Sequence, residues 1–98
     1  MQEVTVNEFL DAMEKGKNLG TRYYIENADE GTVYLYLPHV TIDVGKDRSE
    51  IEIYVPHQHP EVFVGMANVT HIYRRNGGYR LQFNAGLSDL IITEEEKQ

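Results

Sequence analysis

The sequence predicts an α+β protein: one N-terminal helix followed by about seven short, mostly antiparallel strands that form a curled sheet or a small barrel. Three observations carry this expectation. Residues 31–55 hold three runs in which apolar residues alternate with polar or tyrosine residues, the period of a half-buried strand. A capping signature at Thr5 opens a helical pattern. Short polar or glycine-containing connections then separate successive runs, so neighbours pair as hairpins.

The helix is expected over 5–16. Thr5-Val6-Asn7-Glu8 reads as a capping box, with Val4 and Phe9 at staple positions. Val6, Phe9, Leu10 and Met13 recur at helical spacing, giving one apolar stripe. Gly16 is placed to close the helix, and Lys15 suits its negative end. About three turns are marginal alone in water, so the stripe must dock on the sheet.

Thr21 to Asn27 reads as the first strand, and the turn residues 27–31 lead into Val33, Leu35 and Leu37. Pro38 lacks an N–H, so a bend or an interrupted ladder is expected there before Val40, Ile42 and Val44. Polar residues 45–50 join this run to Ile51, Ile53 and Val55 in a second hairpin. Pro56 to Ala67 breaks the alternation and reads as a crossover loop, with a helical turn opening at Pro60 and Val62, Phe63, Val64 and Met66 plugging one end of the core. Asn76-Gly77 predicts a type I′ hairpin. That loop sets Arg74 opposite Tyr79, Ile72 opposite Leu81 and Thr70 opposite Phe83, with Tyr73 opposite Arg80, His71 opposite Gln82 and Val69 opposite Asn84. A last strand covers 88–93, and the acidic tail 94–98 is expected to fray.

Ninety-eight residues, 41% hydrophobic and 26% charged, make a single domain spanning 1–98 with one core. No apolar run approaches the ~18 residues that span a bilayer. The start, MQEVTVNEF, has neither a basic segment nor an apolar core, so a cytoplasmic location without membrane attachment is expected. There is no cysteine, hence no disulfide or thiolate chemistry. The net charge is −7, with residues 62–88 holding Arg74, Arg75 and Arg80 and no acid. That sign argues against nonspecific phosphate binding, so nucleic acid is not the expected partner.

No constellation supports enzyme chemistry: the serines have no adjacent base pattern, and no glycine-rich phosphate loop follows a strand. Three surfaces remain. His57-Gln58-His59 with Glu61 has metal-like spacing for zinc or another transition metal, set against two solvated loop histidines. Tyr73, Arg80, His71 and Gln82, with Arg74 and Arg75 nearby, form a basic, partly aromatic strand face. It can meet a carboxylate, a phosphate or an acidic protein surface, it can stack single-stranded bases, or Tyr73 and Arg80 can simply cover each other by cation–π contact. Tyr24, Tyr34, Tyr36 and Tyr54 stand opposite the branched core residues. They are either an open amphipathic contact face or a second face buried under the helix, the latter being favoured.

The function expected is that of a small acidic, non-catalytic binding protein of the inhibitor, immunity or anti-defence type. Its partner is another protein with a basic surface, engaged through exposed acids such as Asp29, Glu30 and Asp47. Homo-oligomers through the tyrosine face or the hairpin are the further possibility, and a metal- or small-ligand-binding barrel using the His57-Gln58-His59 loop is the alternative.

Overall fold

Thr5 begins the helix as read from the sequence. In the computed structural model, which describes residues 2–29, 31–56, 62–84 and 87–96, the Thr5 Oγ1 accepts from the Glu8 N–H at 3.1 Å and donates to the Glu8 carboxylate at 3.2 Å. The side-chain pair is therefore a direct hydroxyl–carboxylate bond. Helix α1 runs Val6–Asn18, two residues past the expected end. Gly16 does not close it. A Cβ there would stand 2.0 Å from the Tyr23 hydroxyl, so Gly16 lets the first long strand pass close to the helix. The left-handed residue is Gly20, at φ 70°.

Among the described residues, eight strands follow the order β1-β6-β7-β8-β2-β3-β4-β5: β1 Gln2–Val4, β2 Tyr23–Asp29, β3 Thr32–Val44, β4 Glu50–Tyr54, β5 Val62–Gly65, β6 Val69–Arg75, β7 Gly78–Phe83 and β8 Asp89–Glu94. All pairings are antiparallel. The sheet is curled but open, with β1 and β5 as its outer edges. Two strands were not expected. β1 is too short to show a period, and β5 lies where a crossover loop was read. β5 pairs along β4, so Val62 and Val64 pack against the core as an edge strand, while Phe63 stays exposed. The helical turn is Met66–Asn68; Pro60 lies outside the described residues.

One face of the sheet takes the helix. Cross-strand rows on that face run Val4–Ile72–Leu81–Leu90–Asn27–Leu35 and Tyr79–Ile92–Ile25–Leu37. Phe9, Leu10 and Met13 are fully buried against this face and against Val40, Ile42, Ile51 and Ile53. Phe9 meets Tyr79 edge-on at 5.2 Å. Burying three such side chains stabilises by about 1.5–3 kcal/mol each, enough to hold a helix that propensity alone would not. Val6, expected on the stripe, opens the helix and is exposed.

The β6–β7 register follows the expectation from Arg74↔Tyr79 to His71↔Gln82 and then slips, with Val69 opposite Phe83. The bulge turns Val69 rather than Thr70 toward the core, and Thr70 Oγ1 donates to the Gln82 carbonyl at 3.2 Å. The turn is not type I′. Gly77 has φ 80°, whereas Asn76 is not among the positive-φ residues, and both central positions would need it.

Two outcomes test this packing. Gly16→Ala should destabilise by about 1–3 kcal/mol. Combining it with Tyr23→Phe, which removes the atom in the way, should cost less than the sum of the single changes in a urea-melt double-mutant cycle. Burial, then the charge of Glu94 and then Tyr79, push the Tyr23 hydroxyl up to about 12 from an ordinary 10.0. The folded state therefore holds this proton more tightly than the unfolded one. Its contribution to stability is complete below pH ~10 and is lost as pH rises from there through ~12. An ultraviolet phenolate titration should show a late step near pH 12 that Tyr23→Phe removes.

Candidate functional site

The face turned away from the helix carries the candidate site. One cross-strand row crosses six strands as Glu3–Tyr73–Arg80–Ile91–Glu26–Tyr36. Ile91 is nearly buried between its charged neighbours, as expected where long polar side chains lay their stems along apolar surface. Tyr24 lies beside Tyr36, with ring centroids 5.7 Å apart. The helix does not cover this face, so the favoured expectation of a sheet buried on both sides is corrected. A single helix has one apolar stripe, and the branched residues took it.

The basic character expected of the β6–β7 hairpin is neutralised in part. Arg80 Nε donates to Asp89 Oδ2 at 2.7 Å, and His71 Nδ1 lies 2.6 Å from Glu3 Oε1. His71 stacks on Tyr73 at 6.0 Å, the place where a Tyr73–Arg80 contact was read. Arg74 points with the other parity; with Arg75, Lys15 and Tyr79 it lines a recess of about 350 Å³ at the end of α1. Asp29 ends β2 at the tip of the β2–β3 arm. Asp47 sits in the β3–β4 turn, where Ser49 donates through its hydroxyl at 2.6 Å and its N–H at 3.0 Å. Those bonds, the side-chain one first, hold the Asp47 carboxyl below its usual range. Arg48 of the same turn grips α1 through Glu14 at 2.9 Å and Asp11 at 2.8 Å. Glu30, His57, His59 and Glu61 lie outside the described residues. Among the described residues, no group of three His, Cys, Asp or Glu could hold a metal ion.

Sequence reasoning missed the β2–β3 arm. Val33 is 51% exposed, Tyr34 62%, Leu35 45% and Tyr36 55%, so the first half of β3 is open on both faces. Val33 and Leu35 were expected in the core. The helix does not reach that far along β3, and a bulge at Tyr34 shifts the pairing so that Leu35 faces Asn27 and Val33 faces Ala28. Tyr54, expected with the other tyrosines, is half-buried, its hydroxyl bonded to Glu52 and Lys17 Nζ 5.7 Å from its ring. β3 then turns a corner at Pro38-His39, as Pro38 suggested. His39 has φ 59°, and Glu95 accepts from its N–H at 2.5 Å and meets its Nδ1 at 2.7 Å. Tyr24, Tyr36, His39 and Glu94 border a groove of about 1010 Å³ at this corner.

The corner gives a direct test. Glu95→Ala removes both contacts to His39 and should cost about 1–2 kcal/mol. His39→Gly should cost less than His39→Ala, because glycine adopts the positive φ without strain; chemical denaturation of the three variants checks the order. No protein-family model matches the chain, and neither a curated protein nor a solved structure matches it significantly.

Proposed function

We propose that this is a small acidic, non-catalytic binding protein that holds another protein against the open face of its sheet. An inhibitor, immunity or anti-defence role suits such a device. The observation that carries the reading is the row Glu3–Tyr73–Arg80–Ile91–Glu26–Tyr36, which has no covering layer among the described residues. Tyrosines give large contact area at low conformational cost, and they are enriched where proteins meet.

The partner's charge follows from the pairing on that face. Two of its donors are taken up within the face, Arg80 by Asp89 and His71 by Glu3. Glu26 stands on this face and exposed Asp29 ends β2 at the arm tip, in a chain of net charge −7. A basic protein surface complements this, and a nucleic acid does not.

Immobilised protein should capture a basic partner whose association slows as salt rises. Tyr24→Ala or Tyr36→Ala should weaken that complex by about 1–3 kcal/mol, as buried aromatic anchors do. Glu26→Lys should slow association, while Lys46→Ala, in the distant β3–β4 turn, should leave it unchanged. A partner indifferent to both tyrosines but lost with Arg74→Ala would place the contact on the opposite side.

A further inference from the structure

Among the described residues, the first half of β3 has a partner on one side only. β2 pairs with Thr32 to Leu37 and again at Val40, but β4 joins β3 only from Thr41 onward. The outer N–H and C=O groups of 32–37 are therefore left without a strand among the described residues. Unpaired ladder groups on an exposed strand are a template for a further strand. The other edges are short, three residues in β1 and four in β5. This one has six residues, no charge, and four large apolar or aromatic side chains in the open.

We infer that the strand that completes this edge is the same strand of a second copy, paired antiparallel about a two-fold axis at Leu35. The order Val33-Tyr34-Leu35-Tyr36-Leu37 reads nearly the same in both directions. Antiparallel self-pairing centred on Leu35 sets Leu35 against itself and Tyr34 against Tyr36 of the other copy; beyond the bulge Val33 turns to the other face and Leu37 ends the contact. Aliphatic meets aliphatic and aromatic meets aromatic, the cross-strand pairs that stabilise sheets. Two chains of charge −7 repel over most of their surface. An uncharged edge is where they approach with the least cost.

The contact is isologous and consumes the edge, so it closes at two chains and does not propagate. Pro38 and the Gly31 turn bound it, and the bulge at Tyr34 adds twist that discourages longer pairing. A six-residue strand pair buries less than the ~800 Å² per partner of a standard interface, so the dimer is weak and concentration-dependent. The inference stands apart from the proposed contact with a basic protein: Leu35 belongs to the helix-side row, and its substitution tests the edge alone.

Light scattering over a micromolar-to-millimolar range should show the mass rising from 11.3 kDa toward twice that value. Leu35→Lys, at an exposed position, sets two ammonium groups together on the axis. It should raise the dimer Kd at least tenfold while leaving the circular-dichroism spectrum and Tm of the monomer unchanged. Tyr34→Lys and Tyr36→Glu should each weaken the dimer. The double variant, in which each new lysine faces the other copy's new glutamate, should recover it. A chain that stays at 11.3 kDa throughout overturns the inference. So does a dimer indifferent to Leu35→Lys, which would use another face, or a monomer that instead takes a foreign strand onto this edge.

Discussion

A single helix has one apolar stripe, and the rest of this structure follows from where that stripe docks. Phe9, Leu10 and Met13 are buried on the side of the branched residues, and no other helix is described to cover the reverse side. One sheet face is therefore core, and the other must be made tolerable to water. It is, through tyrosines that present a hydroxyl, through Ile91 sheltered between Arg80 and Glu26, and through ion pairs that link neighbouring strands. A face built this way is stable alone yet remains amphipathic, which is the property of a contact surface.

The second constraint is the length of β3. Thirteen residues belong to two groups of strands, the first half beside β2 and the second, from Thr41, beside β4. The exchange is made at Pro38-His39, where the missing N–H and the left-handed residue break the ladder and the Glu95 carboxylate takes the freed His39 N–H. The open edge and the arm both result from that exchange. Curling the sheet around a helix required a corner, and the corner exposed a strand.

Much of the fold was legible because its signals are local. The Thr5 cap, the Asn76-Gly77 loop and the alternation of Val40-Ile42-Val44 against Ile51-Ile53 each specify a neighbour within a few residues. What escaped was short, aperiodic or distant. Three residues of β1 show no period, and Val62-Phe63-Val64 hides its alternation because every residue is apolar. The acid partners of Arg80 and His71 escaped because Asp89 lies one residue beyond the acid-free segment and Glu3 reaches His71 across 68 positions. The exposed arm escaped for a different reason: Val33 and Leu35 alternate like core residues, and only the reach of the helix decides that they are not.

The strand order also has a kinetic meaning. Five of the seven pairings join strands that are consecutive in the chain, and hairpins of this kind close on the microsecond scale. The remaining two, Gln2↔Arg74 and Tyr23↔Glu94, bridge about seventy residues each. Closing those loops carries an entropic cost before any contact rewards it. The β2–β3–β4–β5 and β6–β7–β8 ribbons can therefore form as separate units early. By that cost, their union through β2 and β8 should be the slow step of folding. Until it occurs, Ile25 and Ile92 lack each other, and the arm strand is one of several open edges rather than the longest one left.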